Sequence, residues 1–219
     1  MINRIDLLST LPDVFSGMEA EEPVRRSQIW LRDVNLERPG RYMIEAESGT
    51  GKSSLCSFIY GMRADYRGTI LFDGVDVRSF TPEQWCRLRT GSIAYLPQEM
   101  RLFPELTVME NIDIKNRLTG FRSATWIAGA LERLGIAQKA DAPAGRLSVG
   151  QQQRVAIIRA LCQPFSFLLI DEPVSHLDER NNAIVAALVS EAADEAGAAV
   201  IATSVGNKIS LTFNRTLLL

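Results

Sequence analysis

The stretch YMIEAESGTGKSS, residues 42–54, decides the fold. Its first four residues, Tyr42–Glu45, predict a short strand, and the composition from Ser53 to Met62 predicts a helix. The loop between them contains Gly49 and Gly51, which let the backbone take positive φ values and approach a ligand closely. Because successive N–H groups in such a loop surround phosphate oxygens, the sequence predicts a phosphate-binding loop at the start of a helix.

The polar residues of this loop predict how it would hold a nucleoside triphosphate. Lys52 is expected to bridge the β- and γ-phosphates, the Ser53 hydroxyl to coordinate Mg²⁺, and Ser54 to contact the α-phosphate. Ala46 stands where such loops usually begin with glycine, and alanine costs little there if φ is negative. Taken alone, the loop is also compatible with an unrelated glycine turn. The residues assigned to nucleotide binding are Glu47, Ser48, Gly49, Thr50, Gly51, Lys52, Ser53 and Ser54.

The composition is that of one large α/β domain. The chain has 219 residues, of which 46% are hydrophobic and 23% charged, enough for a sizeable core. A net charge of −2 gives no basic field, so nucleic acid is not expected as a partner. Three widely spaced cysteines indicate a reduced, cytosolic chain. No apolar run is long enough to cross a bilayer, and residues 1–22 lack the pattern of a signal peptide.

Strands and helices alternate along the chain, which predicts a mainly parallel sheet. The apolar run at Phe165–Ile170 is typical of a strand buried on both faces. Apolar residues spaced by three and four indicate helices from Glu105 to about Arg146. The other predicted strands are Ile29–Leu36, Gly68–Asp73, Ile93–Leu96, Ala198–Ala202 and Leu211–Leu219, and the other predicted helices are Gln151–Leu161 and Ala183–Ala196.

Two acidic residues follow the buried strand directly. Asp171 and Glu172 therefore lie at the carboxyl end of a parallel strand, where open α/β sheets bind their ligands. We expect Asp171 to hold Mg²⁺ through water and Glu172 to act as the general base that polarises the attacking water. An Asp-Glu pair alone is more often only a solvated strand end, so this prediction depends on the neighbouring motifs.

Those motifs occur in a definite order. LPQ at residues 96–98 ends a predicted strand, LSVGQQQR at residues 147–154 precedes the acidic strand, and SHLD at residues 175–178 follows it. With the phosphate loop and the acidic pair they make five motifs in the order found in ABC transporter ATPases. The run at 147–154 resembles the LSGGQ signature of that family, with Val149 in place of its first glycine.

The resemblance implies a fold and a domain organisation. It implies an α/β P-loop NTPase of the ABC ATPase type, with a mainly parallel core sheet, an antiparallel β subdomain and a helical subdomain. The whole chain, residues 1–219, would form a single ATP-binding domain, and the helical subdomain would occupy about residues 100–160.

The resemblance also implies roles for individual residues. Gln98 would sense the γ-phosphate and Mg²⁺, and its loop would face a membrane partner. Phe15 is the candidate platform for adenine stacking, with a role in the N-terminal core as the equal alternative. Ser148 also fits the N-cap of an ordinary helix. The residues expected to contact ATP bound to a second subunit are Ser148, Val149, Gly150 and Gln151, and Asp178 belongs to the D-loop.

One position departs from the family. Ser204 stands where the family has a switch histidine after a strand, and the only histidine of the chain, His176, lies in the D-loop. A hydroxyl is shorter than an imidazole and carries no positive charge. We therefore expect ATP binding, with hydrolysis that is weakened or supported by another group.

These features predict the ATPase subunit of an ABC transporter, with ATP and Mg²⁺ as cofactors. A second ATPase subunit, identical or different, and separate transmembrane subunits would be its partners, at the cytoplasmic face of the membrane. A soluble ABC ATPase acting on DNA is disfavoured, because Lys52 and Ser148 are 96 residues apart and leave no room for a coiled-coil insert. One acting on ribosomes is disfavoured because the sequence has one cassette and no basic linker. A regulatory subunit with a degenerate site remains an alternative, favoured by Ser204 and Ala46.

Overall fold

The computed structural model describes residues 1–219 and contains nine strands and seven α-helices. The strands are β1 (Arg4–Pro12), β2 (Asp33–Glu37), β3 (Arg41–Glu45), β4 (Tyr66–Phe72), β5 (Val75–Asp76), β6 (Ile93–Leu96), β7 (Phe167–Asp171), β8 (Ala199–Ser204) and β9 (Arg215–Leu218). The helices are α1 (Glu22–Arg26), α2 (Lys52–Ile59), α3 (Pro82–Gly91), α4 (Val108–Asn116), α5 (Ala124–Arg133), α6 (Val149–Leu161) and α7 (Glu179–Ala196).

The core is a five-stranded parallel sheet in the order β6-β7-β8-β3-β9. All residues of β7 and β8 are buried, as the continuous apolar runs predict for strands covered on both faces. The register aligns Glu45 with Ser204 and Asp171 with Thr203. The phosphate loop, the acidic pair and the switch position therefore meet at one edge of the sheet.

The second sheet is antiparallel, in the order β2-β1-β4-β5. Its central strand β1 pairs with both β2 and β4, yet the sequence patterns above assign no strand to residues 1–22. The predicted strand at Ile29–Leu36 is wrong in its first half, because the chain turns at Leu31, whose φ is 56°, and β2 begins only at Asp33. Trp30 is fully buried there, so its apolar side chain anchors the turn in the core.

Three helices occupy the region between β6 and β7. Each begins at a hydroxyl residue whose side chain caps a backbone N–H: Thr107 for α4, Ser123 for α5 and Ser148 for α6. The helical pattern predicted from Glu105 to Arg146 is confirmed only in part, since α4 ends at Asn116 and α5 starts at Ala124. The other predicted strands and helices coincide with observed elements to within a few residues, except that only Arg215–Leu218 of the last segment is a strand.

None of the helices combines the length and the apolar character that crossing a bilayer requires.

Candidate functional site

The loop between β3 and α2 has the backbone that phosphate binding requires. Gly49 and Gly51 have φ values of 85° and 96°, which non-glycine residues rarely adopt. The Thr50 hydroxyl donates to the carbonyl of Glu47 at 2.9 Å, and the indole N–H of Trp30 donates to the carbonyl of Thr50 at 2.9 Å. The loop is thus fixed from both sides, while Glu47, Ser48 and Gly49 are exposed.

Ala46 fits its position without backbone strain. It is not among the residues with positive φ, so the missing first glycine has no steric consequence here. Its N–H donates to the carbonyl of Ser204 at 3.1 Å, which joins the start of the phosphate loop to the end of β8.

Phe15 has the core position that was the alternative to adenine stacking. Only 8% of the residue is exposed, and a Cβ placed on Gly51 would lie 3.2 Å from its ring and 3.0 Å from the ring of Trp30. A stacking platform needs an open ring face, so this burial supports the core role. The closeness of the Phe15 and Trp30 rings also explains why glycine is needed at position 51.

Lys52 and Glu172 form an ion pair across the site. The Lys52 ammonium lies 2.8 Å from the Glu172 carboxylate, and both side chains are mostly buried. Glu172 has a φ of 50°, a conformation that is costly for a non-glycine residue and is often retained at functional sites. Its N–H donates to the carbonyl of Thr203 at 3.3 Å, and its carbonyl accepts from Gln153 at 3.2 Å.

Asp171 has one carboxylate oxygen without a hydrogen-bond partner. The residue is 1% exposed; its Oδ1 accepts from the Thr203 hydroxyl, whereas its Oδ2 is buried and unpaired. An unpaired buried carboxylate oxygen is costly unless a cation or a water satisfies it. Burial first, and then the charge of Asp171, raise the pKa of the neighbouring Cys56 thiol, which therefore stays uncharged.

Three other predicted ligands are placed less tightly. Ser53 is half-buried beside Lys52 and its hydroxyl makes no hydrogen bond, whereas the Ser54 hydroxyl accepts from Arg63 at 2.9 Å. Gln98 lies in a turn after β6, exposed and without a side-chain hydrogen bond. The structure therefore brings Ser53 to the site but leaves Gln98 on the surface.

The LSVGQQQR run forms the start of α6. The Ser148 hydroxyl accepts from the N–H of Gln151, and the Gln151 side chain accepts from the N–H of Ser148 at 3.0 Å. This capping box confirms the N-cap alternative for Ser148. Val149 is 46% exposed. No hydrogen bond or ion pair joins residues 148–151 to the phosphate loop of the same chain.

Gly150 packs against the loop that contains His176. A Cβ at Gly150 would lie 2.8 Å from the carbonyl oxygen of His176, so only glycine permits this approach. The buried Gln153, one turn further along α6, accepts from the N–H of His176 at 3.3 Å. The start of α6 and the loop after Glu172 are therefore held together within one subunit.

Asp178 caps α7. Its carboxylate accepts from the N–H of Asn181 at 2.8 Å, and this backbone hydrogen bond is the main reason why its pKa is lowered. An acidic N-cap also interacts favourably with the helix dipole.

Ser204 uses its hydroxyl within its own loop. The Oγ donates to the carbonyl of Asn207 at 2.7 Å, and the residue is buried. A cavity of about 390 Å³ opens beside it, at the carboxyl ends of β3 and β9. Lys208 and Glu45 both line this cavity, and the Lys208 ammonium lies 2.5 Å from the Glu45 carboxylate.

Three residues of the site support it through contacts that no sequence motif indicates. Thr203 supports Asp171 and Glu172, Gln153 supports the loop after Glu172, and Trp30 supports the phosphate loop. Thr203 and Gln153 lie next to or inside the quoted motifs, so their positions pointed to the site although their contacts did not. Trp30 is distant in sequence and had no such signal.

The comparisons with known proteins agree with this geometry. Residues 32–175 match the family model described as ABC transporter. The chain belongs to this family. A lipoprotein-releasing system ATP-binding protein, LolD, of Oleidesulfovibrio alaskensis is 30% identical over 99% of this chain and 95% of its own length. The thiamine import ATP-binding protein ThiQ of Cereibacter sphaeroides is 38% identical over 81% of this ABC chain and 76% of its own.

Solved structures of ABC cassettes share the fold. The dimeric structure of MJ0796, a bacterial ABC transporter cassette, superposes with a TM-score of 0.69 at 27% identity, covering 80% of this chain and 78% of that one. A dimeric post-hydrolysis state of the same cassette bound to ADP and Pi gives a TM-score of 0.69 at 26% identity over 81% and 80% of the two chains. This ABC chain therefore has the cassette fold predicted from its motifs, with both the parallel and the antiparallel sheet.

Proposed function

We propose that this chain is the ATP-binding and ATP-hydrolysing subunit of an ABC transporter. The observation that carries the proposal is the contact of 2.8 Å between Lys52 and Glu172. It brings the cation of the phosphate loop and the carboxylate suited to activate water to one point at the edge of the sheet. The family membership supports the same assignment.

The chemistry is an attack of water on the γ-phosphorus. Glu172 accepts a proton from the water while a new P–O bond forms, and the bond from the γ-phosphorus to the bridging oxygen breaks to give ADP and phosphate. Lys52 exchanges its partner, from the Glu172 carboxylate to the β- and γ-phosphates. This exchange frees Glu172 to act as base only when ATP is bound.

The residues present fit a Mg²⁺ ion. The buried, unpaired Oδ2 of Asp171 and the free hydroxyl of Ser53 are oxygen ligands of the kind that Mg²⁺ prefers. A bound Mg²⁺ would neutralise charge on the phosphates. Gln98 joins this set only if its loop moves inward, so we keep its contact with Mg²⁺ and the γ-phosphate as a prediction.

A second subunit completes the site in this proposal. Ser148, Val149, Gly150 and Gln151 make no hydrogen bond to the phosphate loop of their own chain, and Ser148 and Val149 are exposed. In a head-to-tail dimer they would contact ATP held by the partner, with Asp178 nearby in the D-loop. The dimeric cassette of MJ0796 supports this arrangement. The same surface serves a homodimer or a heterodimer.

We assign the docking of a membrane subunit to a groove beside Gln98. The groove has a volume of about 260 Å³ and is lined by Pro97, Arg101 and Phe103 of the Gln98 loop, and by Ile114 and Lys115 of α4, among others. Its apolar rim is exposed, with Phe103 51% accessible. Such an apolar patch beside the exposed guanidinium of Arg101 suits an apolar helix end with an acidic residue, and would hold the chain at the cytoplasmic face of the membrane.

A change of Phe103 tests this groove. We expect Phe103→Asp to abolish co-purification with the membrane subunits from detergent extracts while the ATPase rate of the isolated chain stays unchanged. Val14→Asp is the matched control, because Val14 is an apolar residue that is 69% exposed and lies outside the groove. Loss of co-purification in both variants, or in neither, would contradict the assignment.

The relatives are named for lipoprotein release and thiamine import, so we propose no cargo.

One observation favours a second candidate, a nucleotide-binding subunit with little hydrolysis. The Ser204 hydroxyl is engaged by Asn207 and so offers the γ-phosphate no contact in this conformation. Steady-state phosphate release by the purified chain, alone and with its membrane subunits, separates the two candidates. Turnover that disappears in Glu172→Gln supports the ATPase; ATP binding without any turnover in the complex supports the regulatory subunit.

A further inference from the structure

The chain lacks an imidazole at the switch position but has one elsewhere on the dimer face. Ser204 is buried, and its hydroxyl donates to the carbonyl of Asn207 in its own loop. The only histidine of the chain, His176, has its backbone carbonyl against Gly150. Gly150 belongs to the segment that, in the proposed function, contacts ATP on the partner subunit. The single imidazole thus lies next to the part of this subunit that faces the other active site.

The geometry of His176 suits a contact outside its own chain. The residue is exposed, and its Nδ1 is paired with the Ser175 hydroxyl at 2.9 Å. No hydrogen bond engages Nε2. Gln153 fixes the backbone of the loop through the N–H of His176 and, at 3.4 Å, the Ser175 hydroxyl. The ring is therefore held on a rigid support with one nitrogen free.

We propose that His176 of each subunit takes the place of the missing switch histidine in the active site of the other. In the ATP-bound dimer its Nε2–H donates a hydrogen bond to a γ-phosphate oxygen of the ATP held by the partner's phosphate loop. No covalent bond forms and no proton is transferred by His176; the contact stabilises the charge that develops on the transferring phosphoryl group. The proposal rests on the dimer of the proposed function.

Substitutions at position 176 distinguish this role from a purely structural one, in which His176 acts only through its contact with Ser175. Asparagine places its amide near the position of Nδ1 but cannot reach further, whereas glutamine places an N–H near the position of Nε2. We expect His176→Ala and His176→Asn to lose about 10²-fold in turnover, the usual cost of one such contact, and His176→Gln to retain several-fold more than either. Wild-type turnover in His176→Asn would overturn the proposal and leave the structural role.

Restoring the imidazole on the other side gives a second test. Ser204 lines the cavity beside the phosphate loop, so a histidine there has room to point toward the nucleotide. We expect Ser204→His to raise the turnover of His176→Ala by about ten-fold or more, since it returns a contact worth about 10². A structural defect in the His176 loop would not be repaired from position 204, so no gain in the folded double variant would contradict the proposal.

Mixing two impaired variants decides whether the contact crosses the interface. His176→Ala keeps Glu172, and Glu172→Gln keeps His176, so a mixed dimer contains one site with both groups only if His176 acts on the partner. We expect single-turnover hydrolysis of γ-labelled ATP by the mixture to exceed either variant alone by about ten-fold or more. Hydrolysis no faster than in the separate variants, with mixed dimers present, would overturn the proposal. If the wild type neither dimerises nor hydrolyses ATP, the proposed function itself fails.

Discussion

At the residue scale, Glu172 combines strain with an ion pair. Its φ of 50° costs on the order of 1–3 kcal/mol, and contacts with Thr203 and Gln153 hold it. The carboxylate lies against the Lys52 ammonium. In the proposed function, ATP would displace this contact by offering Lys52 a more highly charged partner.

Removal of the Lys52 ammonium tests the phosphate loop. We expect Lys52→Ala to weaken Mg-ATP binding by about ten-fold or more, because it removes the only fixed positive charge of the loop. Titration of both proteins with a fluorescent ATP analogue measures the effect. Lys139→Ala, which removes an exposed ammonium far along the chain from the phosphate loop, is the control. Equal affinity in wild type and Lys52→Ala would contradict the assignment of the loop.

The buried carboxylate of Asp171 predicts that the affinity for ATP depends on Mg²⁺. We expect Asp171→Asn to make ATP binding nearly independent of Mg²⁺, because the unpaired oxygen no longer offers a full negative charge to the ion. ATP affinity measured with Mg²⁺ and with a chelator gives the ratio for each protein. A wild type whose affinity ignores Mg²⁺ would remove the basis for this site.

At the element scale, α6 connects three functional loops. Its first turn packs on the His176 loop through Gly150, its second turn supports Glu172 through Gln153, and near its end Arg159 donates to the carbonyls of Met100 and Arg101 in the Gln98 loop. One helix therefore links the segment proposed to contact the partner's ATP to Glu172, the proposed base, and to the groove proposed for a membrane subunit.

The two roles of Ser148 can be separated with a second capped helix. We expect Ser148→Ala and Ser123→Ala each to lose about 1 kcal/mol of unfolding free energy, since both hydroxyls cap a helix in the same way. Only Ser148→Ala should also reduce ATPase turnover, because only Ser148 belongs to the segment proposed to contact the partner's ATP. Thermal denaturation and phosphate release measure the two effects. Equal turnover in both variants would leave Ser148 with capping alone.

The close contact of Gly150 predicts that even a methyl group at this position destabilises the fold. We expect Gly150→Ala to destabilise the fold by about 1–3 kcal/mol, because its Cβ would meet the His176 carbonyl at 2.8 Å and the backbone must shift. Gly129→Ala, also inside a helix, is the control, since a Cβ there meets nothing within 4 Å. Chemical denaturation compares the two, and equal stability would mean that the loop yields easily.

The sequence predicted these elements unevenly, for physical reasons. Strands buried on both faces, such as β7 and β8, are continuous apolar runs, and their predicted bounds agree with the structure to within two residues. The strand β1 was missed because Ser9 takes a positive φ of 47° and the register shifts between Leu8 and Leu11, which interrupts the alternation. The site residues follow motifs, whereas the Lys52–Glu172 pair and the Gly150–His176 contact depend on tertiary packing that no local pattern encodes.

At the scale of the whole molecule, the groups proposed for one active site belong to two segments that share no hydrogen bond within the chain. The phosphate loop, Asp171 and Glu172 meet at the carboxyl edge of the parallel sheet, whereas Ser148 and Gly150 adjoin the His176 loop without a hydrogen bond to that phosphate loop. A single chain therefore binds the nucleotide with only part of the groups proposed for hydrolysis. Two chains arranged head to tail would complete two sites, and ATP would lie between them as part of the interface.

The most direct test of this account is the assembly state of Glu172→Gln with and without Mg-ATP. The amide keeps the shape of the side chain but cannot accept the proton of the attacking water, so ATP should remain bound. Sedimentation equilibrium should then show the 24.3 kDa chain as a monomer without nucleotide and as a dimer with Mg-ATP, with no phosphate released. A variant that stays monomeric while saturated with ATP, or that hydrolyses ATP at the wild-type rate, would contradict the account.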